Sequence, residues 1–406
     1  APTGPYRGAG RPEAIYLIER LMDTAARQMR LDPAELRRRN LIDPALMPYT
    51  NAMGQTYDSG RFGQVMEQGL TLADWEGFAA RAEASRARGK LRGLGIATFL
   101  EWTGGNAFEE RVTVAVKGEG EIEVYATTQA MGQGIATSYA QLAVDVFGVP
   151  LEKIRVVFGD SDRGTGFGSA GSRSLFTAGS AVKVAADRTV DRAKDLASDA
   201  LEAATADLEY REGRIQVAGT DRGIGLFELA AKQPEGRIFI DSTSTVGGPT
   251  WPNGTHVCEV EIDPDTGEVE ILSYVSANDA GRVVNPLIVE GQIAGGALQG
   301  LGQALCEQII YDPGSGQPLS ASFMDYAMPR ADMIAGYVTA LDQSIPCTTN
   351  PLGVKGVGEL GTIGATPALV NAVADALARG GHAAAADRLQ MPLTPPRVWA
   401  LLHEGA

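Results

Sequence analysis

The apolar positions of this chain change period several times, and each change predicts an element. Residues 1–11 carry glycine and arginine without an apolar rhythm and read as a loop, after which Pro12 suits the first turn of a helix. Over 13–30, Ile15, Leu17, Ile18, Leu21 and Met22 recur near helical spacing, and Asp32 ahead of PAELRRRN caps a second short helix. Residues 43–60 show no period, 61–88 read as helical, and 91–127 alternate as strands do, most clearly in RVTVAVKG and EIEVYATT. A helix over 132–147, the strand KIRVVFG, a glycine-rich loop over 159–171 and a long helix over about 172–204 follow. Then come hairpins over 205–218 and 253–277, the second turning at Pro264-Asp265-Thr266-Gly267. Asn285-Pro286 opens a helix to about residue 302. A last glycine-rich loop over 351–366 leads into a helix over about 367–378.

Strands and helices mix here without the strict alternation of a doubly wound sheet, so the expected class is α+β. The expected organisation is two mixed subdomains, 1–235 and 236–406, meeting around 220–250. The stretch EGRIFIDSTSTVGGPTWPNG is the most linker-like between them.

Composition narrows the function. A formal net charge of -15 disfavours nucleic acid as a partner, which requires a basic footprint. The three cysteines, Cys258, Cys306 and Cys347, form no CxxC pair; they read as small buried residues rather than disulfide or cluster ligands. The three histidines, His256, His382 and His403, lack ligand spacing and are expected to be structural or exposed. No apolar run reaches the roughly 18 residues of a membrane span, and no basic-then-apolar leader is visible. The cytoplasm is therefore the default compartment, with the periplasm as the alternative. The 50 glycines are not periodic and cluster beside helical segments, which points to backbone needing positive φ or passing close to a ligand rather than to disorder.

Four loops meet predicted helix starts, where free N–H groups and the helix dipole favour anions. The first is Met131-Gly132-Gln133-Gly134 with Thr137 and Gln141; a glutamine amide between glycines offers both donor and acceptor to a heterocycle, or is merely a solvated turn. The second runs from Gly159 through Gly171 to Ser172-Arg173-Ser174, a phosphate cradle or a long surface loop. Its glycines lack dinucleotide-fingerprint spacing. The third, Asn278-Asp279-Ala280-Gly281, precedes the Asn285 cap and a helix carrying Gln292, Gly295, Gly296, Gln299 and Gly300, whose small face also suits plain close packing. The fourth is Lys355-Gly356-Val357-Gly358-Glu359. A carboxylate among glycines beside a helix is a candidate general base, although a lone loop glutamate is commonly just solvated. Together the loops suit a large, flat, anionic cofactor held by backbone amides. The absence of GxSxG and HExxH argues against serine-hydrolase and zinc chemistry.

In order and across nearly the whole chain, YRGAGRP, MGQG, GDSD…GSRS, NDAG…NPLIVEGQ and KGVGE resemble the C-terminal half of the large subunit of molybdenum hydroxylases, the xanthine dehydrogenase, aldehyde oxidase and carbon monoxide dehydrogenase superfamily. The resemblance implies a molybdenum–molybdopterin cofactor, with or without a cytosine nucleotide, whose metal is ligated by the pterin dithiolene and by no protein side chain. It implies that Glu359 is the base in a hydroxylation whose oxygen comes from water, and that Arg7 stabilises charge on the substrate. Gln133, Gly134, Thr137, Gln141, Ser172, Arg173, Ser174, Asp279, Asn285, Gln292, Lys355, Gly356, Val357 and Gly358 fall in its cofactor-holding motifs. Trp102 and Phe108 are candidates for a substrate pocket.

Two departures matter. Carbon monoxide dehydrogenases proper carry a copper-bridging cysteine in the first loop, and the matching position here is Gly8, which implies neither copper nor carbon monoxide oxidation. The family's large subunit also has a further N-terminal half. The resemblance thus implies partners: that half as a separate or cleaved chain, an iron–sulfur subunit and an FAD subunit. The implied substrate is an aldehyde or aromatic N-heterocycle. A reductive aromatic-thioester dehydroxylase and a non-catalytic cofactor-binding or assembly subunit are the alternatives on the same scaffold.

Overall fold

The computed structural model describes residues 3–334 and 336–403. In its N-terminal part lie α1 (Arg11–Met29), α2 (Pro33–Arg38), a two-stranded ladder of β1 (Tyr49–Thr50) and β2 (Thr56–Tyr57), α3 (Phe62–Leu72) and α4 (Phe78–Arg86). Next come β3 (Leu91–Leu100), β4 (Glu109–Lys117), β5 (Glu121–Ala126), α5 (Ile135–Phe147), β6 (Ile154–Val157), and α6 (Ser180–Leu201) behind a π-turn at Leu175–Gly179. The chain continues through β7 (Leu208–Arg211), β8 (Arg214–Val217), β9 (Gly223–Gly225), α7 (Leu226–Ala231), β10 (Arg237–Thr245), β11 (Asn253–Ile262) and β12 (Val269–Asp279). It closes with α8 (Pro286–Leu305), β13 (Tyr337–Asp342), α9 (Leu360–Arg379), α10 (Ala383–Ala386) and α11 (Pro395–His403).

The α+β class holds, and local chemistry explains the boundaries that sequence located. The Asp32 carboxylate accepts from Glu35 N at 2.9 Å, and the Asn285 side chain accepts from Ile288 N at 3.2 Å with Pro286 in the first turn. Between α3 and α4, Asp74 turns left-handed at φ 47, so the helical stretch over 61–88 is two helices.

Two four-stranded sheets carry the fold. One has the order β10-β4-β5-β6 and the other β13-β12-β11-β3. Strand pairing crosses residue 235 in both directions, because β3 joins the sheet of β11–β13 while β10 joins that of β4–β6. The hydrophobic cores follow the sheets and not a cut in the sequence. Val112, Val114, Ile122 and Val124 pack against Tyr139 and Phe147 of α5 and Val182 of α6. Cys258, Val260 and Ile271 pack with Ala297 and Leu301 of α8 and Leu369 and Val373 of α9. The other face of that sheet takes Val257 and Val275 onto Met66 and Leu70 of α3.

Two expectations need correcting, and α1 adds a finding of its own. The linker-like stretch contains β10, a nine-residue edge strand whose register runs from Arg237–Lys117 to Thr245–Glu109. Its alternation buries Ile238 and Ser242, and serine and threonine, read as linker residues, serve equally well on a half-buried edge. The last helix begins at Leu360, not Pro367: Gly361 and Gly364 are contact surfaces and not loop residues. An added Cβ would stand 2.0 Å from Ile293 O at Gly361 and 2.4 Å from the Phe99 ring at Gly364. This helix is also long and apolar enough to cross a membrane, but it is buried between β3, α8 and α1. Finally, α1 turns its apolar stripe outward. It buries Glu19, Asp23 and Ala26 and exposes Leu17, Ile18 and Leu21. Buried charge decides this: Arg37 of α2 pairs with Glu19 at 2.6 Å, and its guanidinium also reaches Ile96 O. Burial raises the Glu19 pKa while Arg37 opposes the rise.

Candidate functional site

A cleft with about 660 Å3 of empty space opens where the four loops converge. Gln133, Ser172, Ser174, Asn285, Gln292, Lys355, Gly356, Val357 and Gly358 all line it, so nine residues singled out from sequence come together from four separate segments. Ser138, Arg282 and Ile288 complete much of the wall. Gly134 caps α5 at φ 74, where a Cβ would lie 2.8 Å from Ile288. A Cβ on Gly356 would lie 2.5 Å from Ser172 O, so that loop can only be glycine. Gln141 braces the wall from behind by accepting from Asn285 Nδ2 at 3.0 Å. The Gln133 amide folds back on its own loop, accepting from Met131 N and donating to Gln129 O, which leaves one N–H for a ligand.

Glu359 stands one residue beyond the lining segment, as the N-cap of α9. Its Oε1 accepts from Gly8 N and from Arg11 Nη2, both at 3.1 Å, and its Oε2 accepts from Ser172 Oγ at 2.8 Å. Glu359 N–H in turn donates to Ser172 Oγ at 3.1 Å, with Ser172 held left-handed at φ 55. The carboxylate is thus fixed in orientation by three elements and remains 14 % exposed, open to a reactant on one side.

Arg7, which the resemblance assigns to charge on the substrate, spends most of its hydrogen-bonding capacity on the protein. Its Nε donates to Gly358 O at 2.6 Å, Nη1 to Gln299 Oε1 at 3.1 Å, and Nη2 to Gln292 O at 3.0 Å and Gln292 Oε1 at 3.2 Å. It ties the loop before Glu359 to α8, and one N–H of its five stays unengaged. Burial lowers its pKa, opposed by Tyr6, Glu359 and Glu101.

Other residues fall outside the lining. Arg173 is fully buried, paired with Glu110 at 2.7 Å, and donates to Ala107 O and Gly168 O. It braces the glycine-rich loop from within instead of facing an anion. Asp279 lies behind Lys355, pairing with it at 2.6 Å; burial raises the Asp279 pKa and Lys355 pulls it down. Thr137 sits on the exposed side of α5. Trp102 presents its carbonyl to Arg11, while Phe108 packs onto the first core, so neither lines the cleft. Sequence reasoning missed Arg11, although it stands in the YRGAGRP motif, and Glu101, whose strand-end position carries no motif at all. Among the described residues no cluster of three His, Cys, Asp or Glu has metal-holding geometry.

This donor set fits a flat anionic heterocycle. Amides, hydroxyls and one arginine line the space, and the backbone at Gly356 packs too closely on Ser172 to carry a side chain. Residues 68–335 match a family described as molybdopterin cofactor-binding domain, and residues 1–41 match a second family of the same description. Fold, cleft and match define a molybdopterin cofactor-binding protein. The chain belongs to the large subunits of molybdenum hydroxylases of the xanthine dehydrogenase family. It is 35% identical over 98% of its length to the 6-hydroxypseudooxynicotine dehydrogenase complex subunit gamma of Paenarthrobacter nicotinovorans, covering 51% of that protein. It is 34% identical over its whole length to the carbon monoxide dehydrogenase large chain of Hydrogenophaga pseudoflava, covering 53% of it. The structure of quinoline 2-oxidoreductase from Pseudomonas putida 86 superposes with a TM-score of 0.89 at 34% identity, over 100% of this chain and 53% of that one. The chain thus spans about half the length of the relatives it matches.

Proposed function

We propose that this chain is the cofactor-binding, base-carrying half of a molybdenum-dependent hydroxylase that oxidises an aldehyde or aromatic N-heterocycle, with water as the oxygen source. The observation that carries this reading is the Glu359 carboxylate, clamped at the mouth of a cleft shaped for the pterin. In the overall change a substrate C–H becomes C–OH, water gives the oxygen, and two electrons and two protons leave. When bound, the molybdenum cofactor supplies the two-electron oxidation. Gln133, Ser172, Ser174, Asn285, Gln292 and the backbone of Lys355–Gly358 would hold it. The chain's own contribution to the chemistry is proton handling. Oε1 of Glu359 is engaged twice and Oε2 once, so a proton arrives at the free position on Oε2. Arg7 fixes the loop that aims this carboxylate, and its remaining N–H is available to negative charge on the substrate.

Gly8 supports a copper-free site. At φ +104 its Cβ would fall 2.4 Å from the Pro12 ring, so the backbone excludes a cysteine side chain there. The outward apolar stripe of α1 supports a cover, and the other half of the large subunit, as a separate or cleaved chain, is the occupant we assign. We assign the onward path of the electrons to iron–sulfur and FAD partners, as the resemblance implies. Turnover of N-heterocycles and aldehydes in water labelled with heavy oxygen tests the reading. Label in the product supports it, and product oxygen drawn from another source overturns it.

A further inference from the structure

Glu101, at the end of β3, is fully buried, and neither of its carboxyl oxygens has a hydrogen-bond partner among the described residues. Its nearest cation is Arg11, whose Nη2 lies 3.9 Å from Glu101 Oε1 and 3.1 Å from Glu359 Oε1. One guanidinium nitrogen therefore faces two carboxyls and sits closer to the exposed one. The other Arg11 nitrogens are committed, Nε to Gly8 O and Nη1 to Trp102 O. An ionised carboxylate in a dry site without hydrogen bonds is strongly disfavoured, and two carboxyls that share one cation do not both ionise readily.

We propose that Glu101 holds a proton at neutral pH and so leaves Arg11 to Glu359, acting as a positioning residue for the base. This rests on the assignment of Glu359 above. The charged groups that act on Glu101 are Arg11, Glu359 and Arg7. Burial raises the Glu101 pKa well above the ordinary carboxylate range, with Glu359 adding to the rise and both arginines opposing it. A neutral Glu101 makes no claim on Nη2, which explains why Arg11 leans towards Glu359. Alkali reverses the arrangement: once Glu101 loses its proton it draws Nη2 away and sets a second anion beside the base. Glu101 then marks the alkaline end of the working range.

Infrared difference spectra of the protein with its co-purifying subunits, wild type against Glu101→Gln, test this without turnover. The expected result is a C=O stretch of an unbonded carboxylic acid at neutral pH, absent from the variant and removed from the wild type by alkali. Superimposable spectra overturn the proposal. Should Glu101→Gln fail to accumulate, Glu101→Met serves instead, and the same band is sought in wild type carrying carboxyl-labelled glutamate. Its unbonded position separates it from Glu19, which is bonded to Arg37, and its absence overturns the proposal. In kinetics, the alkaline limb of kcat/KM moves up by about one pH unit in Glu101→Gln; an unmoved limb counts against the positioning role. Failure of the Glu359 assignment shows up separately, as turnover retained by Glu359→Gln.

Discussion

At the scale of single residues, the site depends on charges that are buried and matched. Arg173 and Glu110 are both about fully buried, and the guanidinium also holds the carbonyls of Ala107 and Gly168. Arg173→Met leaves Glu110 as an unpaired buried charge, and the expected loss is about 3–5 kcal/mol of unfolding free energy in urea titrations. An unchanged midpoint would show that the pair does not brace the loop. His256 gives the pH dependence. It is buried between Tyr274 OH at 2.7 Å and Ser276 Oγ at 2.9 Å, and burial lowers its pKa from 6.5 to about 3. The unfolded chain takes up a proton below pH 6.5 while the native state does not, so stability falls with pH over that window, by about 1.4 kcal/mol per unit for this group. His256→Gln is expected to flatten the slope of urea stability against pH between those limits by about one proton; an identical slope would contradict the neutral buried imidazole.

At the scale of elements, the packing of α9 on α8 and β3 sets the position of Glu359. Gly361 of α9 faces Ile293 O, and Gly93 and Gly95 of β3 face the α9 backbone, each too close for a Cβ, while Gly296 of α8 packs tightly on Thr362. Gly361→Ala is expected to cost about 1–3 kcal/mol by forcing the helices apart, read in chemical denaturation, and to move Glu359 at the N-cap. Wild-type stability in that variant would refute the close contact. Helix caps and hairpin turns were legible in the sequence because their signals are local, as at Asp32, Asn285 and the 264–267 turn. The start of α9 was not, since a glycine required by a neighbouring helix looks the same as one required by a turn. The outward face of α1 had no local signal either: Glu19 and Asp23 turn inward because Arg37, Arg20 and Arg27 pair with them. The cleft residues were legible as an ordered set of motifs. What escaped was the partition within that set, in which Arg173 and Asp279 support the wall while Arg11 reaches Glu359.

At the scale of the whole molecule, the chain presents apolar surface that its own fold does not cover. Leu17, Ile18 and Leu21 share one exposed face of α1, and Phe323 and Met324 project from the segment between α8 and β13. The face of α1 is where the partner half proposed above would dock. The double substitution Leu17→Glu with Leu21→Glu is expected to weaken retention of the remaining half of the large subunit by about tenfold or more in Kd, measured by quantitative co-purification. Undiminished retention would remove α1 from the interface.

The cofactor cleft and the proposed base, Glu359, are separable. The most direct measurement sets molybdenum content beside turnover in the assembled protein, wild type against Glu359→Gln. The account predicts equal molybdenum in both, near one per chain, with turnover abolished in the variant. Turnover surviving in Glu359→Gln, or a wild-type assembly that holds no molybdenum with its full set of subunits, would contradict it.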